Sequence, residues 1–185
     1  MTPGRILEKW CPYRETPNSS ARDPGEDVRA VVVHYTGGGS LGSTAKWICD
    51  PSSGVSYHVM IERDGRAVQF VDFHRKAWHA GVGNIDGGQD KRNANVGSIG
   101  VAFCNYGKIC RADTQPNKLV YTAGAPVLHS NAYWEPYTDE ALATFTRVLT
   151  WFERTGWTTN LVRHSEIALP RGRKHDPGPL FSLYI

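Results

Sequence analysis

Apolar and polar positions change period several times along this chain, and each change marks an element. "VRAVVVHYT" (28–36) is a nearly unbroken β-branched apolar run, the pattern of a central strand buried on both faces. "GGGS" (37–40) follows as a flexible loop, and "STAKWICD" (43–50) predicts a short helix with Ser43 as its N-cap. "VSYHVMIER" (55–63) alternates as a strand does, "DG" (64–65) signals a hairpin, and "RAVQFVD" (66–72) is the return strand. "KAWHAGVGN" (76–84) reads as a loop that continues through a polar stretch, and "VGSIGVAFCN" (96–105) as another apolar strand. Residues 106–137, broken by Pro116, Gly124, Pro126 and Pro136, read as an irregular insertion. The clearest helix spans 137–156, capped by Thr138, with Asp139 and Glu140 in its first turn and Gly156 just past its end. Leu142, Phe145, Leu149 and Phe152 recur at helical spacing and predict its buried face. "LVRHSE" (161–166) reads as a short strand running into a loop.

Strand, helix, hairpin, strand, long helix, strand is an α/β order. It predicts a single domain over 1–185 with a central mixed β-sheet flanked by helices, residues 1–27 packing over it as an N-terminal arm. The length suits one core. A net charge of +3 is too weak to point to nucleic acid, though it favours approach to an anionic polymer. No apolar run has the length of a membrane span, so no stable membrane association is expected. The first residues lack the apolar core of a secretory signal, which predicts synthesis in the cytoplasm without one. Cys11, Cys49, Cys104 and Cys110 form no CxxC pair; Cys104 and Cys110 are near enough to bridge across a turn, but buried thiols in a reducing compartment are the expected state.

Two of the seven histidines stand out by position. His34 ends the buried strand just before the glycine loop, and His164 ends the late short strand. Strand ends beside loops are where open sheets present reactive groups. Hydrolytic zinc needs three protein ligands and an open position for water. A third ligand must come from stiff backbone, and "GRKHDPGP" (172–179) supplies it, since Pro177 restricts Asp176 and Gly178 permits a tight turn. Neighbours in an extended segment point to opposite sides, so Lys174 and Asp176 share a side and His175 faces away. A lysine beside the metal would have an oxyanion to stabilise, so the K-x-D spacing favours Asp176 over His175 as ligand. A solvent-exposed basic turn closed by proline would carry the same spacing. No HExxH is present.

"VVVHYT", "VSYHVMIERDG", "KAWHAG", "NVGSIGVAF", "RHSEIA" and "GRKHDPGP" occur in this order over about Pro17 to Phe181. Together they resemble the zinc-dependent N-acetylmuramoyl-L-alanine amidases of the amidase-2 group. That group includes phage lysozyme-type amidases, cell-wall recycling amidases and peptidoglycan recognition proteins. The resemblance implies one zinc ion (Zn2+) held by His34, His164 and Asp176, with Lys174 as catalytic lysine. It implies water attacking the amide between the lactyl group of muramic acid and L-alanine. Trp78, His79 and Asn95 match groove residues that would meet glycan or stem peptide. The recycling type resembles "SIGIEL" where this chain reads "SIGVAF", so its catalytic Glu falls on Ala102. Branches without that Glu carry a tyrosine where this chain has Tyr57, which would then orient the water or stabilise the oxyanion. The general base stays open: Glu166 is either a base, a carboxylate behind a ligand, or a solvated loop acid. The expected function is a phage endolysin-like cell-wall hydrolase, a monomer acting on peptidoglycan or muropeptide after release from the cytoplasm. The alternatives are a cytoplasmic recycling amidase for anhydro-muropeptides and a non-catalytic peptidoglycan-binding module. Retention of all three ligands and the lysine speaks against the last.

Overall fold

The computed structural model describes residues 2–86, 88, 91–111 and 124–184. In chain order the strands are β1 (Ser19–Ala21), β2 (Ala30–Tyr35), β3 (Val59–Ile61), β4 (Ala67–Gln69), β5 (Arg75–Ala77) and β6 (Val82–Gly83). They continue with β7 (Arg92–Asn93), β8 (Ser98–Phe103), β9 (Lys108–Arg111), β10 (Val127–His129), β11 (Ala132–Trp134) and β12 (Leu161–Arg163). The helices are α1 (Leu41–Ile48), α2 (Asp139–Thr155) and the single turn α3 (His164–Ile167). Five strands form the central sheet in the order β12-β2-β8-β3-β4. The first three pairings are parallel and β3–β4 is an antiparallel hairpin, so the sheet is mixed, as the element order predicts.

Alternation assigns the two faces of β2. Val31 and Val33 join Ile99, Val101 and Phe103 of β8 under α2, which buries Ala141, Phe145, Val148 and Phe152 against them. Leu142 and Leu149, expected on that stripe, lie at its flanks and are only partly buried. Thr138 caps α2, its hydroxyl accepting from Ala141 N at 3.2 Å, and Gly156 ends it in the left-handed conformation at φ +81°. The opposite face of the sheet carries Met60 and Ala102 under α1, Val32 under a smaller cluster, and His34. That second face is where the site lies.

Several elements depart from the pattern-based expectation. Ser40, not Ser43, caps α1, because its hydroxyl accepts from Ser43 N. Regular pairing in the 55–63 segment begins only at Val59, and just before it the His58 imidazole accepts the Gly100 N–H at 2.9 Å. The 76–84 loop contributes two short strands: β5 pairs with β1, and β6 with β7. The arm is thus stitched in, and the Asn18 amide donates to Ile48 O and Asp50 O, closing the carbonyl end of α1. The 106–137 insertion holds a three-stranded antiparallel sheet, β10-β11-β9, where irregular chain was expected; its residues 112–123 lie outside the described residues. Ser130 and Asn131, both at positive φ, make the β10–β11 turn. Cys104 is buried and makes no disulfide with Cys110. Among the described residues no helix is long and apolar enough to cross a membrane.

A buried ion pair ties the insertion to the sheet. The Arg63 guanidinium donates to both Glu135 oxygens at 2.7 and 2.8 Å, and to Gly39 O in the glycine loop. Glu135 has no exposed side-chain surface. Glu135→Ala would remove the bidentate partner of a buried guanidinium, leaving it Gly39 O and Glu62 at 3.6 Å, at a cost of about 3–5 kcal/mol. Chemical denaturation checks this; a midpoint within error of wild type would refute it.

Candidate metal centre

Three donors converge at the carboxyl ends of β2 and β12. His34 sits near the end of β2, and β12 runs parallel beside it, so His164, the next residue after β12, lands alongside. Asp176 arrives from the 172–179 segment, which three contacts fix. Its carbonyl accepts from Ser165 N at 2.9 Å, the Tyr137 hydroxyl donates to Pro177 O at 2.7 Å, and Gly178 turns at φ +83° against the Trp134 ring. Asp176 Oδ2 lies 2.7 Å from His34 Nδ1 and 2.9 Å from His164 Nδ1. His34 and His164 are 1% exposed and Asp176 is 7% exposed, so all three are shielded from bulk water.

Electrostatics favours the ligating forms. Burial lowers the His34 imidazole to about 4, against the pull of Asp176, and so keeps it neutral near pH 7. The donor set also passes a fit test. His164 Nε2 lies 3.1 Å from Ala80 O, and a carbonyl only accepts, so Nε2 carries a hydrogen and Nδ1 is the nitrogen left to ligate. His164 Nδ1 then turns a lone pair toward the Asp176 carboxylate. A cation between them resolves the clash of lone pairs, and the three ligand atoms, all within 4.8 Å of one another, could hold a metal ion.

The three donors open onto a pocket whose wall includes Tyr35, Tyr57, Lys174 and His175. Lys174 is half-buried and His175 exposed, and both line this pocket, although the K-x-D spacing put His175 on the other side. The Tyr57 ring stands 5.3 Å from the His34 ring and packs against the cluster containing Ala102, the position where a recycling-type Glu would fall. Burial raises the Tyr57 phenol, which keeps it a hydrogen-bond donor.

The expected groove residues have other engagements. Trp78 is not part of this pocket wall; its indole N–H meets Ser20 Oγ of the arm at 3.2 Å. Asn95 is buried, and its Oδ1 accepts from the backbone of His79 and Ala80 at 3.1 and 2.7 Å. His79 lines the pocket, but both ring nitrogens point into the protein, toward His34 and Ser98. These contacts give His79 and Asn95 structural work within the fold. Glu166 is half-exposed, and its carboxylate accepts from Arg163 N at 3.0 Å, capping α3. His58 is fully buried, bonded to Arg75 O and Gly100 N. Sequence reasoning missed Ser98 and Gly100. The glycine inside the apolar run "SIGVAF" was the available signal, since glycine in a buried strand marks a close approach.

The family model for N-acetylmuramoyl-L-alanine amidase, Amidase_2, matches residues 24–179. This chain belongs to that family. The 1,6-anhydro-N-acetylmuramyl-L-alanine amidase AmpD of Escherichia coli K12 is 32% identical over 127 residues, covering 69% of this chain and 54% of that protein. The chain spans about half the length of the curated AmpD relatives it matches. A crystal structure of a selenomethionine AmpD derivative superposes with a TM-score of 0.65 at 25% identity, over 97% of this chain and 96% of that one. AmiD from E. coli, solved with anhydro-N-acetylmuramic acid-L-Ala-D-γ-Glu-L-Lys, has a TM-score of 0.61 at 26% identity, over 86% and 57% of the two chains. The amidase fold is therefore shared across nearly the whole of this family member.

Proposed function

We propose that this chain is a zinc amidase that hydrolyses the bond between the lactyl group of N-acetylmuramic acid and L-alanine. The observation that carries this is the convergence of two imidazole Nδ1 atoms and one carboxylate on a single point, beneath a pocket walled by Lys174 and Tyr57. His34, His164 and Asp176 would hold one zinc ion, which when bound polarises a carbonyl oxygen and acidifies water. The protein does the rest. Lys174 offers its ammonium to the oxygen that gains charge in the tetrahedral state. Tyr57, also in the pocket wall, donates its hydroxyl and excludes water with its ring. Asp176 remains ionised throughout, and His34 remains neutral.

For substrate, the soluble 1,6-anhydro-muropeptide is the better-supported reading, ahead of the intact wall that the sequence alone suggested. The AmpD relatives bear that substrate in their name, and AmiD was solved with an anhydro-muramyl peptide. One observation favours intact wall as the second reading: Ala102 stands where the recycling type carries its Glu. A non-catalytic binder would not require the complete donor set.

The test is digestion of both substrates with and without a chelator, with products read by mass spectrometry. Free peptide beginning at L-alanine, released faster from anhydro-muropeptide, stopped by chelator and restored by zinc, is expected. Faster release from intact wall would exchange the two readings. Binding of both without cleavage would leave only the recognition module.

A further inference from the structure

The turn His79–Gly81 touches both histidines of the centre, on the ring nitrogens that face away from Asp176. Ala80 O accepts from His164 Nε2, which leaves the His164 Nδ1 lone pair toward the carboxylate. His79 does the equivalent for His34. The two rings meet at 2.9 Å between His34 Nε2 and His79 Nδ1, and the far end of the chain of contacts decides which of them donates. Ser98 Oγ has a single hydrogen and gives it to Ala94 O at 2.6 Å. Its oxygen therefore accepts from His79 Nε2, 3.2 Å away. With its hydrogen on Nε2, neutral His79 presents Nδ1 as an acceptor, and His34 Nε2 donates to it. The His34 Nδ1 lone pair is thereby aimed at the same point as that of His164.

The surrounding chain is shaped for this contact. Gly100 leaves the ring its room: a Cβ there would come within 2.5 Å of His79 Cγ. Asn95 Oδ1 grips the backbone of His79 and Ala80, so the turn cannot drift from the two rings.

We propose that His79, backed by Ser98, is a positioning residue that holds His34 in the tautomer ligating through Nδ1, and so sets the metal affinity of the centre. This rests on the metal-centre reading above. Residues that orient a metal-bound histidine through its other nitrogen are typically worth about 10–100-fold in affinity.

The test uses the full chain and zinc alone, with affinity measured by competition against a chromogenic chelator and ligand geometry by the visible spectrum of cobalt-substituted protein. His79→Phe is expected to weaken zinc by roughly 10–100-fold and to shift the cobalt bands. His79→Asn, whose Oδ1 can accept where Nδ1 did, is expected to recover most of the affinity. Ser98→Ala, which keeps the ring but removes the group that fixes its tautomer, is expected to weaken zinc by a smaller factor. Wild-type affinity and spectrum in His79→Phe would overturn the positioning role. Should that variant not fold, the same result in Ser98→Ala would overturn it. Wild-type protein that binds no zinc would instead overturn the metal-centre reading itself.

Discussion

Asp176→Ala protein is expected to purify without zinc and to release no stem peptide. Asp176 supplies the only carboxylate in the donor set, and both imidazole Nδ1 atoms lean on its single oxygen Oδ2. Removing it leaves two buried imidazole nitrogens and no negative charge to offset a dication. Structural zinc sites bind with about 10–16 kcal/mol over four ligands, so one ligand lost is roughly 3 kcal/mol, or about two orders of magnitude in affinity. Dialysis followed by metal analysis reads the loss directly. His175→Ala is the matched control. His175 is exposed at the pocket wall, so its removal should leave zinc content at the wild-type level. Zinc retained by Asp176→Ala, or lost by His175→Ala, would reverse the assignment of the third ligand.

Lys174→Ala should behave differently, keeping its zinc while losing rate. An ammonium facing the developing oxyanion acts in the transition state more than in the ground state, so kcat should fall by roughly 10²–10³-fold with KM little changed. The neighbouring cation, Arg173, also lines the pocket but is tied to the loops around it. The Arg173 guanidinium is committed to Leu169 O at 3.0 Å and Val82 O at 2.7 Å, where it secures the loops around the site. Steady-state kinetics on zinc-loaded protein separates the two variants. A Lys174→Ala enzyme with unchanged kcat would remove the lysine from the chemistry.

What could be read in the sequence follows from how local each signal is. β2 and α2 were legible because an apolar run and a 3.6-residue stripe are written in consecutive residues. The three donors were legible because strand ends and a proline-stiffened turn are local too. The hairpin at Ser130 and Asn131 was not, since it adopts two positive φ values without the glycine that usually announces them. The short strands β5 and β6 escaped because their partners, β1 and β7, become neighbours only through the fold. The buried contacts of His79 escaped for the same reason. Its neighbour in sequence, Trp78, suggests a groove, whereas its partners in space are a strand-end histidine 45 positions away and a serine 19 positions away. Side-chain hydrogen bonds of that span leave no periodic trace.

The parallel placement of β2 between β12 and β8 bears on how quickly the chain can reach its native state. Neither of its neighbours is a hairpin partner, and His34 meets Asp176 across 142 positions of chain. Long loops must close before the central strand gains either partner, which belongs to the slower regime of folding for a protein of this size. The donors come together only once that closure is complete. An ion captured there cannot nucleate the sheet; it acts afterwards, as a latch that slows the native state from coming apart.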